Sequence, residues 1–205
     1  MGKKLYILPD LPYAYDAMMP VISKEIMTLH HDKHHKSYVD KANELLTSLD
    51  EARKTGAKVD VGTVAKKLSF NVDGHILHSL FWTNLTPVSE VKEPSHDFLR
   101  AVEKEFSDFE RFKAEFAEAA LTIEGSGWAI CSYHKESQRL LISQVGNHNL
   151  AHVISPSLLV LDMWEHSFYL DYKSDKKAFV ENFWKVVNWA EVSMRFEQAG
   201  QLFSQ

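Results

Sequence analysis

Two long helix-period segments with one turn between them constrain this chain more than any other feature. From about Ser23 to Arg53, apolar and His/Tyr positions recur every three or four residues, and a second such pattern runs from about Val64 to Asn84. Between them KTGAKVDVG forms a turn around Gly56. Two helices so joined fold back as an antiparallel hairpin. The midpoint between His30 and His78 is residue 54, at the turn, so these two histidines face each other across the hairpin.

The first helix carries TLHHDKHHKSYV, with four histidines in six residues. A core would have to satisfy every ring nitrogen of such a cluster, so the spacing matters. On an α-helix His30, His34 and Tyr38 step by four along one face, and His31 with His35 forms a neighbouring row. One row can face a site and the other something else.

Beyond Pro87 the polar connector VSEVKEPSHD marks a boundary between an N-terminal helical-hairpin domain, residues 1–90, and a C-terminal α/β domain, residues 91–205. Ser107 to Glu110 reads as a capping box opening a helix with Phe109, Phe112 and Phe116 on its buried side. Strand patterns follow at Trp128–Tyr133, Leu140–Gln144 and Leu158–Asp162, with HKESQ as a hairpin turn, and a final helix runs from about Lys176 to Gln201. The predicted class is α+β: an antiparallel helical hairpin, then helices on a small antiparallel sheet of about three strands.

Within LLVLDMWEHSFYLDY, Asp162 and His166 stand four apart just after a buried apolar run. Alone they read as an ordinary ion pair at a strand end, as His30 alone reads as a helix-surface residue and His78 as a satisfied core histidine. The hairpin pairing supplies two imidazoles, and this segment adds a compact second pair. Three neutral imidazoles and one carboxylate suit iron, manganese or zinc, whereas calcium and magnesium want mainly oxygen donors.

Composition narrows the class. The chain has 205 residues, 45% of them apolar and 12% aromatic, enough to bury a sizeable core. A net charge of −5 without a basic cluster argues against a nucleic-acid partner. The single cysteine, Cys131, makes no internal disulfide, and the apolar run Leu158–Leu161 is far too short to span a membrane. A cytoplasmic protein with no membrane partner is expected.

Four separately spaced motifs, HHDKHHKSYV, GHILHSLFW, GSGWA and LDMWEHSFYLDY, together with Trp82, Trp128 and Trp164, resemble the iron/manganese superoxide dismutase family. The likeness runs from LPYAYDA at Leu11 to the VVNW ending at Trp189. It implies an antioxidant oxidoreductase that disproportionates superoxide to dioxygen and hydrogen peroxide with one iron or manganese ion per subunit. It implies His30, His78, Asp162 and His166 as metal ligands, Tyr38 as the gate beside them, and Trp82, Trp128 and Trp164 as a dry wall. It also implies a homodimer, sometimes a dimer of dimers, in which Glu165 reaches the partner's ligand histidine and Tyr169 meets His34 across the interface. His34 then serves the interface and the substrate approach, while His31, His35 and His75 are structural. His96, His134 and His152 have no role beyond surface or packing.

The family's usual glutamines are missing: Gly74 and His148 stand where iron and manganese members respectively carry one, and Leu77 replaces a frequent asparagine, as in some archaeal members. His148 is therefore expected to hydrogen-bond Tyr38 and the solvent on the metal. A charge-assisted hydrogen bond is worth roughly 1.5–3 kcal/mol, and an electron moved through 100 mV about 2.3 kcal/mol, so one such contact can shift a redox potential by on the order of 100 mV. Identical ligands can therefore suit either metal; iron is favoured, with manganese or use of both as the alternative. Superoxide is an anion, so attraction must come from local cations; Lys33 is the first candidate and Lys176, where many members carry arginine, the second. Two rivals are weaker. A ferritin-like site would need glutamates and Glu-x-x-His motifs on facing helices, and a zinc hydrolase would need a general base where this pattern has Tyr and Trp.

Overall fold

The computed structural model describes residues 5–149 and 156–201. After an N-terminal arm, α1 (Lys24–Leu29) runs through a π-helical turn (His30–His35) into α2 (Lys36–Thr55). Ser23 caps α1 by accepting from the Ile26 amide. Gly56 ends α2 at φ 72°, a left-handed conformation that glycine adopts at no steric cost. Asp60 then caps α3 (Val61–Thr83) through the Thr63 amide, and α3 returns along α2 as the hairpin requires.

The π turn corrects the α-helical sorting of the histidines. The Lys36 amide reaches back to the His31 carbonyl, and the wider turn rotates the two rows relative to each other. As a result His30, His35 and Tyr38 all approach the ring of His78, with centroids 4.9, 5.3 and 5.2 Å away. The second row is split: His35 joins the site, and His31 turns to the N-terminal arm.

In the C-terminal part, α4 (His96–Phe106) and α5 (Phe109–Leu121) lead into β1 (Gly127–His134), β2 (Arg139–Gly146) and β3 (Ser157–Asp162). These form an antiparallel sheet in the order β2-β1-β3. The chain finishes with α6 (Tyr169–Tyr172), α7 (Lys176–Phe183) and α8 (Trp189–Gln201). The α+β class and the three antiparallel strands are as expected. The capping box is off by one: Ser107 closes α4 at φ 77°, and Asp108 caps α5 by accepting from the Arg111 amide. Phe112 and Phe116 are fully buried, whereas Phe109 is only partly so. The expected single final helix is broken. Val187 is extended and bridges Leu85, the Thr86 amide donates to the Val186 carbonyl, and the Asn188 amide donates to the Asn84 carbonyl. Pairing with the chain just after α3 outweighs helical continuity there.

One side chain sets the height of the sheet against the hairpin. Asn84, at the end of α3, donates to the Leu158 carbonyl and accepts from the Val160 amide, covering the outer edge of β3 as another strand would. It is fully buried. With that edge fixed to α3, the last residue of β3, Asp162, arrives beside His78.

Candidate metal centre

Four side chains converge between hairpin and sheet. One donor atom each from His30, His78, Asp162 and His166 lies within 4.8 Å of all the others. Asp162 Oδ2 is the hub, with the Nε2 atoms of His30, His166 and His78 at 3.0, 3.2 and 3.6 Å. Its other oxygen, Oδ1, accepts from the Trp164 amide, which fixes the carboxylate and turns Oδ2 inward. Ser167 closes the turn by donating to the Asp162 and Trp164 carbonyls.

The protonation states suit metal binding. His78 donates from Nδ1 to the Gly74 carbonyl at 2.6 Å, so its Nε2 presents a lone pair. His30 Nε2 and His78 Nε2 are buried without a hydrogen-bond partner, which an ion at the hub would satisfy. Burial pushes His30 down to about 4 and holds His78 well below its usual range, so both rings stay neutral. Burial would raise Asp162, but His166 beside it, through charge and a hydrogen bond, outweighs that and holds the carboxyl well below its usual range, so it stays ionised. Three imidazole nitrogens and one carboxylate are a fitting donor set for iron or manganese.

Around this cluster the wall is aromatic. Trp82, Trp128 and Trp164 all border it, the first two buried. Tyr38 packs on His78 and His148, and its hydroxyl is pushed up by burial and then by Asp162. A Cβ at position 74 would come within 2.9 Å of Tyr38 Cγ, so Gly74 leaves the space that the ring fills.

His148 has a different partner from the one expected. Among the described residues it makes no hydrogen bond to Tyr38; its Nδ1 accepts from Trp128 Nε1 at 2.9 Å. An indole can only donate, so the His148 proton sits on Nε2, which is buried and unpartnered. Burial lowers this ring to about 4.

The remaining predicted residues lie further out. His34 is half-buried and stacks on His166 at 4.1 Å. Glu165 and Tyr169 are exposed. Lys33 is exposed, and Lys176 is partly buried with its ammonium 5.9 Å from the Phe168 ring centre. His31 donates from Nε2 to the Pro9 carbonyl, tying down the N-terminal arm. His152 lies outside the described residues. The chain's one Glu-x-x-His spacing, Glu93 to His96, spans Pro94 and ends on an exposed side chain, so it does not make a ferritin-like site.

Sequence reasoning missed the roles of Asn84, of Phe70 against His148, and of a hydrogen bond from His35 to His75. The last was within reach: the midpoint of His35 and His75 is residue 55, the same hairpin turn.

Comparison with known proteins agrees with this geometry. The family model for the alpha-hairpin domain of iron/manganese superoxide dismutases matches residues 5–86, and that for their C-terminal domain matches residues 94–195. An iron superoxide dismutase of Methanothermobacter thermautotrophicus is 51% identical over 200 residues, covering 96% of this chain and 97% of the relative. One from Pyrobaculum aerophilum, also an iron enzyme, is 48% identical over 96% of this chain and 94% of its own. A manganese/iron superoxide dismutase of Aeropyrum pernix is 44% identical over 96% of this chain and 92% of its own.

Proposed function

Since the chain belongs to the iron/manganese superoxide dismutase family, we propose that it disproportionates superoxide with one iron or manganese ion held by His30, His78, Asp162 and His166. The observation that carries this reading is the convergence of those four donor atoms, two of them buried nitrogens without a hydrogen-bond partner. When bound, the ion supplies one-electron chemistry, its trivalent and divalent states taking an electron from one superoxide to give dioxygen and returning it to the next, which leaves with two protons as hydrogen peroxide.

The chain's own residues then bind, exclude and hold protons. The three tryptophans keep bulk water from the cluster. Tyr38 keeps its hydroxyl proton at physiological pH, because burial and Asp162 both oppose its loss, and so remains a donor beside the open side of the site. His148 offers a second proton at Nε2, its tautomer fixed by Trp128. Lys33 supplies local positive charge against a net charge of −5. Lys176 is the second candidate for that role.

The assembly belongs to the same reading. Glu165 and Tyr169 are exposed beside His166, as residues meeting a second subunit would be in a free protomer. We take the working form as a homodimer, with a dimer of dimers as an extension, and the protein as two domains divided near residue 90. Among the described residues no helix is long and apolar enough to cross a membrane. A cytoplasmic, antioxidant setting fits the single buried cysteine, which makes no internal disulfide.

The test is metal analysis and a superoxide-consumption assay on protein loaded separately with iron and with manganese. One ion per subunit and rapid superoxide loss with at least one metal are expected. Stoichiometric metal with no superoxide consumption for either ion contradicts the assignment.

A further inference from the structure

Behind the metal-facing rings, a second chain of nitrogens runs out through the hairpin. Trp82 Nε1 donates to His35 Nδ1 at 2.9 Å, and His35 Nε2 lies 2.8 Å from His75 Nδ1. The direction of the chain follows from chemistry. An indole nitrogen can only donate, so His35 Nδ1 must accept and its proton must sit on Nε2. His35 is fully buried, so that proton needs an acceptor within the protein, and His75 Nδ1 is the group placed to accept it. The opposite tautomer of His35 would set its N–H against that of Trp82.

The chain backs both hairpin ligands. His35 stacks on His78 with centroids 5.3 Å apart, and Trp82 stands edge-on to His30 at 4.8 Å. His75 stacks on His35 at 5.1 Å, so ring contact and hydrogen bonding coincide there. At its outer end Tyr6 stands edge-on to His75, and Tyr6 is pinned by a pair of hydrogen bonds with Asn43 on α2.

We propose that His75 and His35 are positioning residues: the acceptor nitrogen of His75 fixes the His35 tautomer, which in turn holds Trp82 against His30 and keeps the metal cluster tight. The proposal rests on the superoxide dismutase reading only in naming the ion. It makes the acceptor, rather than the packing of the His75 ring, the operative feature.

Two variants separate these. His75→Phe keeps an aromatic ring for stacking but removes the acceptor, whereas His75→Asn loses the ring but can place an amide oxygen where Nδ1 stands. Manganese-loaded holoenzyme is challenged with a chelator, and ultraviolet resonance Raman spectra follow the indole N–H hydrogen-bond band, assigned to Trp82 by comparison with Trp82→Phe. In His75→Phe, metal release is expected to accelerate roughly ten-fold, the lower end of typical losses on altering groups behind a ligand, and the Trp82 band to report a weaker hydrogen bond. In His75→Asn, release stays within about two-fold of wild type and the band is unmoved. If His75→Phe does not fold, His75→Leu removes the acceptor with a smaller side chain and carries the same comparison. Equal behaviour of the acceptor-free and acceptor-bearing variants, whether both impaired or both like wild type, overturns the proposal. Failure of wild type to retain manganese would instead overturn the functional reading, and the Raman comparison would still decide the positioning one.

Discussion

The two halves of the ligand cluster are held in different ways. His30 and His78 rise from a helical hairpin, are fully buried, and have Trp82, His35 and the Gly74 carbonyl behind them. Asp162 and His166 stand where β3 ends and the chain turns. Asp162 is buried and gripped by the Trp164 amide, but His166 keeps 12% of its side chain exposed, and Asp162 is its only hydrogen-bond partner among the described residues. The hairpin half is thus complete within one protomer. The sheet half is open at His166 and Glu165, where the second subunit is proposed to sit.

Removing the only anion from the sheet half should have the largest effect. Asp162→Ala is expected to lower metal affinity by more than about 100-fold, beyond the range for groups behind a ligand, and to abolish turnover with it. Metal analysis and a superoxide assay on the purified variant read both. Full metal content with full activity would contradict the ligand assignment.

Next comes the open edge. If Glu165 orients the partner's His166, Glu165→Ala should lower metal affinity by roughly 10–100-fold and shift the protein toward monomer in sedimentation. An unchanged oligomer with unchanged metal content would make the sheet half as self-sufficient as the hairpin half.

The third prediction concerns pH and falls mainly on the hairpin half. Burial lowers His35 to about 3 and His30 to about 4, and holds His78 well below the ordinary range; His148 is also lowered to about 4. Unfolded histidines take up protons near pH 6.5, so below that the unfolded state binds protons that the folded state refuses. Stability of the metal-free protein is therefore fully present above about pH 6.5 and falls toward pH 4, by at most about 1.4 kcal/mol per pH unit for each such histidine. Asp162, held low when folded, adds loss in the same direction once pH drops below about 3.9. Urea unfolding across this range checks the sign, and a flat profile between about pH 4.5 and 6.5 would show that the rings are not held neutral.

The smallest effect is expected at the surface. Lys33→Glu should lower the second-order rate constant several-fold at low salt and spare metal content, and added salt should narrow the gap, since screening acts over about 8 Å at physiological ionic strength. Equal rates across the whole salt series would show that Lys33 does not steer superoxide.

The same contrast explains what could be read from the sequence. A helical hairpin converts spacing into contact by simple counting about its turn, so His30 opposite His78 was legible before any coordinates. On the sheet side the strands were legible from their apolar runs, but not the height at which β3 meets α3, because that depends on the buried amide of Asn84. The break between α7 and α8 escaped for a similar reason: helical periodicity continues through Val186 and Val187, and only pairing with Leu85 and Thr86 interrupts it. The π turn at His30–His35 is likewise invisible to a pattern read at the α-helical period. The partner of His148 was missed because donor-only chemistry at Trp128 decides it, and that needs the two rings in place.

If one ion joins both halves, it does so through His30, His78, Asp162 and His166. Anomalous diffraction at the iron and manganese absorption edges, from crystals of the metal-loaded protein, tests it most directly. A single peak per chain is expected, bonded to the Nε2 atoms of the three histidines and to Asp162 Oδ2. A peak elsewhere, or one touching only the hairpin histidines, would contradict it.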